Sequence, residues 1–219
     1  MIIGSKRWFA QQVLNELQND KPNIDFKIDE REVFVRMDAE VNQMARQSYF
    51  ENWKFSSSEL DEQYITTWEG DNAISVVDQE FGQPSYLILP ASYIELPRHQ
   101  GIYEIWPMES EYDGRSVAII SHRDQRMYKS SKAGNMQGRL YAYPEGPRKM
   151  VFGTCDVGKK FSEKFGVRLA IRDSSMIDYD EIYPIPADKQ KALIMILTVW
   201  FRSRREQPTD RVRDSNDNA

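Results

Sequence analysis

Apolar residues recur along the first fifty positions of this 219-residue chain with a helical period, three and four residues apart. Ala10, Val13, Leu14 and Leu17 share one side of a helix that begins at Ser5 and stops at Asn19-Asp20-Lys21-Pro22-Asn23. Asp29 stands three residues before Glu32 in a capping-box arrangement, where its side chain can accept from orphan backbone N–H groups. Phe34, Met37, Val41, Met44, Ala45 and Ser48 then repeat on one face, which predicts a long amphipathic helix from about Glu30 to about Asn52. Its other face carries Arg36, Asp38, Glu40, Asn42 and Arg46, expected toward solvent or a neighbouring chain. Ser56-Ser57-Ser58 marks a loop, with a short helical turn expected over Ser58 to Tyr64.

From Gly70 the texture changes to short β-prone runs between Gly, Pro, Asn and Asp: Ala73–Val77, Tyr86–Leu89, Ile102–Ile105, Ser116–Ile120, Leu140–Tyr143, Met150–Phe152 and Val167–Ile171. No helix of crossover length separates them, so antiparallel pairing is expected, in a sandwich or a small barrel. The polar stretch Ser121 to Gly138 is expected as an extended loop or projecting hairpin. Ile182-Tyr183-Pro184-Ile185-Pro186 gives an extended approach to a last helix over Ala187 to Arg204. Leu193, Ile194, Leu197 and Phe201 form its stripe, widened by Ile196, Val199 and Trp200. A helix apolar nearly all round needs partners on several sides. The expected fold is therefore α+β: a helical bundle from residues 1–69 and 183–206 around an inserted antiparallel β-sandwich or barrel-like domain over 70–182. Residues 207–219 form an extended polar tail without the means to support a core.

Composition narrows the function classes. With 40% hydrophobic and 29% charged residues the chain is of ordinary globular make-up. Its 5 Trp, 11 Tyr and 10 Phe need cover from a core or from partner chains. One cysteine, Cys155, excludes an internal disulfide, and with His99 and His122 it makes no zinc-like ligand set. Met1 to Arg7 leads into a polar amphipathic stretch, so no secretory signal is expected. The longest apolar run, Ala192 to Phe201, is half the roughly 20 residues of a membrane-spanning helix. The formal charge is −5, yet Ser121 to Lys149 holds seven bases against two acids, a local +5 that can mark an anionic partner.

Motifs that could carry chemistry fall short of their requirements. Gly153-Thr154-Cys155-Asp156-Val157-Gly158-Lys159-Lys160 approaches a P-loop, but Lys160 stands where the Mg²⁺-holding hydroxyl belongs and the next segment reaches Gly166 within six residues. His122-Arg123-Asp124 lacks the Asn that a kinase loop carries five residues beyond its Asp, Lys129 being there instead. His99 suits a turn, and the acidic pairs Glu109/Glu111 and Asp178/Asp180 suit solvated loops. Core packing is the expected role of Trp8, Trp53, Trp68, Trp106 and Trp200. No catalytic residue, metal or cofactor is expected. The basic stretch around Lys129, Lys132 and Arg139, continued by Arg148 and Lys149, could approach a phosphate backbone without reading bases.

Three stretches carry a family resemblance: Lys27 to Val35, Ile182 to Gln190, and Pro208 to Asp217. They resemble head-to-tail connector proteins of short-tailed bacteriophages, and the ring proteins of crAss-like phages in particular. Helices at both termini around a β-rich middle are likewise similar to podovirus adaptor or tail-tubular proteins. The resemblance implies a non-enzymatic structural virion protein: a homo-oligomeric ring, commonly twelve-fold, made in the bacterial host cytoplasm and placed at the head–tail junction. It would dock beneath the portal protein, meet neighbouring tail rings, and continue the channel for packaged DNA without sequence specificity and without a membrane. Lys129, Lys132, Arg139, Arg148 and Lys149 would then face DNA or a neighbour. Pro208, Asp210, Arg211, Arg213, Asp214 and Asp217 would lie along an adjacent subunit or ring. The alternatives are a stand-alone nucleic-acid or protein binding module and a divergent P-loop nucleotide-using enzyme.

Overall fold

The computed structural model describes residues 2–20, 28–54, 60–77, 84–108, 116–125, 128, 140–154 and 163–206. Three long helices stand among them: α1 (Lys6–Asp20), α2 (Glu30–Lys54) and α3 (Ala187–Glu206). The strands are β1 (Ile65–Trp68), β2 (Ile74–Val77), β3 (Tyr86–Ile88), β4 (Ile102–Pro107), β5 (Ala118–Ile119), β6 (Leu140–Pro144), β7 (Lys149–Thr154) and β8 (Lys164–Ala170). The class is α+β, with a curled, barrel-like mixed sheet. By its internal contacts the chain forms two units, residues 1–41 with 178–219, and residues 42–177. The second is inserted between the two arms of the first.

The helical unit closes where the two arms meet. Gly4, at φ +83°, adopts a left-handed turn that a side chain would strain, and its carbonyl accepts from the Tyr183 amide at 2.9 Å. Ser5 bridges to Ile182, and its Oγ caps α1 by accepting from the Trp8 amide at 3.3 Å. Arg7 donates through its amide to the Tyr179 carbonyl and through its guanidinium to both oxygens of Asp180, at 2.8 and 3.1 Å. Lys6 is 4% exposed, its ammonium 5.3 and 5.4 Å from the ring centroids of Phe34 and Tyr179. Asp29 caps α2 as its spacing predicts, accepting from the Arg31 amide at 3.0 Å. Phe9, Ala10, Val13, Leu17, Val33, Phe34, Met37, Val41, Leu193, Leu197 and Phe201 are buried.

The polar face expected on α2 is exposed only at Arg46; Arg36, Asp38 and Asn42 are half-exposed with partners inside the chain, and Glu40 is buried. Arg36 pairs with the nearly buried Glu40 and lies 4.7 Å from the Trp200 ring centroid. Asp38 accepts from the Tyr183 hydroxyl at 2.5 Å, and Asn42, in the inserted unit, donates to the Arg172 carbonyl at 2.8 Å. Arg46 alone of the five is exposed. A 25-residue helix that takes part in two units has polar neighbours on what a single amphipathic pattern assigns to water.

In the inserted unit the sheet runs β1-β8-β2-β3-β7-β6-β5, with β4 on the remaining edge of β8. β8 is thus internal, and Phe165, Val167, Leu169 and Ala170 are fully buried. A Cβ on Gly166 would fall within the Trp106 ring of β4, so glycine is what lets that ring cross the strand. β1 pairs with β8 from Ile65↔Ala170 to Trp68↔Val167, so the sheet takes in residues that the sequence pattern grouped with the helices. A second correction concerns strand direction: β5 and β6 pair in parallel. A parallel neighbour needs a crossover of a dozen or more residues, and residues 120–139 supply that length without having to be a hairpin.

Leu197 is fully buried in the helical unit. Leu197→Asp would leave an unpaired charge there at a cost of several kcal/mol, against roughly 5–15 kcal/mol for a whole domain. We expect the variant to lose its cooperative melt in circular dichroism; a melt like the parent's would make α3 peripheral.

Candidate functional site

The basic segment was the leading sequence candidate. Of its five named cations, Lys129, Lys132 and Arg139 lie outside the described residues, as does the tail from Pro208 to Asp217. Arg148 and Lys149 sit on the tight β6–β7 turn, where Gly146 has φ +93°. Arg148 does not extend freely: its Nε and one terminal nitrogen donate to the carbonyls of Leu89 and Pro90, both at 3.0 Å. Lys149 Nζ lies 2.6 Å from the Glu145 carboxylate and 4.8 Å from the Tyr86 ring centroid. The hydrogen bond from Lys149, then its charge, holds the Glu145 carboxyl below its ordinary pKa, while the same bond raises Lys149. Both described cations therefore organise the turn.

The other motifs acquire structural settings. Gly153 and Thr154 end β7, and a Cβ at Gly153 would overlap the Tyr141 ring. Residues 155–160 lie outside the described residues, but β8 begins at Lys164, which leaves three residues after Lys160 and no length for a phosphate-binding helix. Asp124 accepts from the Ser121 hydroxyl at 2.6 Å, and the His122 ring meets Tyr143 edge to face at 5.2 Å. His99 ends a 3₁₀ turn at φ +60°. Asp180 is held by Arg7; Cys155, Glu109 and Glu111 lie outside the described residues. Among the described residues no group of His, Cys, Asp and Glu could hold a metal ion, and no helix is long and apolar enough to cross a membrane. Core packing fails for Trp53, which is 57% exposed near the end of α2 beside the exposed Phe50.

What sequence reasoning did not single out is the flank of α1 and α3. Trp8, Gln12 and Glu16 face Ile194, Met195, Thr198, Val199 and their neighbours across a cleft of about 500 Å³. Met195 and Val199 are 59% and 61% exposed, and Ile196 adds to the apolar face. Thr198 in its wall is 5% exposed, and its hydroxyl has no partner among the described residues. A second apolar projection stands at the start of both helices, where Ile2, Ile3 and Ile182 are 53, 76 and 65% exposed. The available signal was α3 itself: with Leu193, Leu197 and Phe201 committed to the core, Met195, Ile196 and Val199 are left pointing out. No family model matches the sequence, and no curated protein matches it.

The Lys149 pair predicts a titration. In Lys149→Met the Glu145 carboxyl loses its donor and should titrate at higher pH, toward an ordinary glutamate, by NMR. The parent pair favours the fold above the ordinary glutamate pKa, and that contribution is lost as pH falls through the lowered value. An unmoved Glu145 midpoint would show the two groups are uncoupled in solution. Arg148→Ala should cost about 1–2 kcal/mol in urea unfolding, because the Leu89 and Pro90 carbonyls lose their donors; an unchanged midpoint would return Arg148 to the free surface cations.

Proposed function

We propose that this chain is a structural subunit that acts by assembling into a ring, as a head–tail connector of a short-tailed bacteriophage. The observation that carries the reading is the outward apolar face of α3, with Met195, Ile196 and Val199 in water in the isolated chain. A protein built to work alone gains nothing from that exposure; a ring subunit covers it with its neighbours. The architecture supports the same reading, since both termini contribute to one helical unit with a β-rich unit inserted between its arms. Two of the three stretches that carry the resemblance also lie at joints of that unit: Ile28 to Val35 opens α2, and Ile182 to Gln190 brings the chain into α3.

In this role the subunit joins the portal protein above to tail rings below and continues the DNA channel, within the virion. Lys129, Lys132 and Arg139 are the cations offered to DNA or to an acidic neighbour, through contacts that fall off with salt. The rival reading, a stand-alone nucleic-acid binding module, uses the same three cations without assembly.

Electron microscopy of the purified chain separates the two. Closed rings are expected, twelve-fold if the resemblance holds in that detail. A monomer that retards a labelled oligonucleotide would favour the binding module. Replacing Lys129, Lys132 and Arg139 together by Gln should leave rings and melting unchanged while reducing DNA retention in particles; unchanged retention would make the segment plain surface.

A further inference from the structure

The helical unit presents two unlike apolar surfaces. One is concave: the cleft of about 500 Å³ between α1 and α3, with Trp8, Met195 and Val199 in its walls. The other is convex: Ile2, Ile3 and Ile182 project from backbone that the Ser5–Ile182 bridge and the Gly4–Tyr183 hydrogen bond hold together. The knob stands before the first residues of both helices, whereas the cleft runs along them from Trp8 to Glu16 and from Ala187 to Arg202. Within one chain the three isoleucines stay exposed and leave the cleft open.

Their charges are opposite. Asp178, Asp180 and Glu181 precede Ile182, and Arg7 neutralises Asp180, so the Ile182 side of the knob carries the two acids Asp178 and Glu181. The cleft is bordered by Lys191 and Arg202 against Glu16, a basic rim. We propose that the knob of one copy seats in the cleft of the next, with Glu181 and Asp178 facing Lys191 across the joint. The contact rests on the assembly reading above. It is head to tail: each contact leaves one knob and one cleft unfilled, so copies add until the chain of subunits closes. The Thr198 hydroxyl in the cleft wall gives the incoming segment a buried group to bond.

Native mass spectrometry of the full chain tests this with two single-face variants, Met195→Glu in the cleft and Ile3→Glu on the knob. Both sites are exposed, so both variants should melt like the parent. The parent should give a closed oligomer and each variant a monomer. Mixed one to one, the variants should give a species of two chains and nothing larger, since one supplies an intact knob and the other an intact cleft. Lys191→Glu should weaken assembly at least tenfold, and adding Glu181→Lys to it should restore it. Variants that assemble like the parent, or a mixture that stays monomeric, would overturn this joint while leaving a ring built on another surface. A parent that stops at a dimer would overturn the head-to-tail arrangement. A parent monomeric at every concentration would overturn both this joint and the assembly reading.

Discussion

The helical unit depends on a short join between the two ends of the chain. Residues 2–7 meet residues 179–183 through backbone hydrogen bonds, the Arg7–Asp180 pair, and a lysine set against two aromatic rings. The residues between the arms include a complete β-sheet unit, residues 42–177. Loop closure of that length is cheap relative to intuition: an eightfold longer loop costs only about 2 kcal/mol more. The join can carry it because its parts reinforce one another. Ser5 caps α1 and bridges to Ile182, and the Tyr183 amide and hydroxyl reach Gly4 and Asp38 on the other arm. Lys6 tolerates burial because its ammonium keeps attractive partners where it would otherwise lose water.

Much of the fold is legible in the pattern of apolar residues. The three long helices fall within two residues of their expected ends, since each bears a repeating stripe and a recognisable start, Asp29 for α2 and Pro184-Ile185-Pro186 for α3. Seven of the strands lie on the expected β-prone runs. β1 was missed because Ile65-Thr66-Thr67-Trp68 is four residues long and follows a serine-rich loop, and β-propensity in so short a run is realised only by its partner β8. The parallel β5–β6 pair was missed for a related reason: strand direction belongs to the connection, which carries no pattern of its own. On the polar side of α2 the pattern did not show which residues find partners inside the chain, because charge on a helix is compatible with solvent and with pairing alike, as Glu40 and Asp38 show.

The candidate surfaces were less legible. A basic cluster is visible as composition, but whether a cation is free is a matter of what the fold brings beside it. Arg148 meets the Leu89 and Pro90 carbonyls 59 and 58 residues away, and Lys149 meets Glu145 across a turn. The cleft was harder still, because it is made by two helices with 166 residues between them in sequence, one ending at Asp20 and the other beginning at Ala187. Trp8 gives no sign in sequence of facing Met195 and Val199.

With the join holding both starts and their inner faces buried, α1 and α3 should open as one cooperative element. Hydrogen exchange on Tyr183→Ala tests it directly, because the variant loses the hydroxyl bonded to Asp38 and the ring packed edge to face on Phe9. Amides of α1 and α3 should lose protection together and to the same degree, while those of β6, β7 and β8 keep theirs. Protection lost in α1 with α3 unchanged, or lost across helices and sheet alike, would contradict the account.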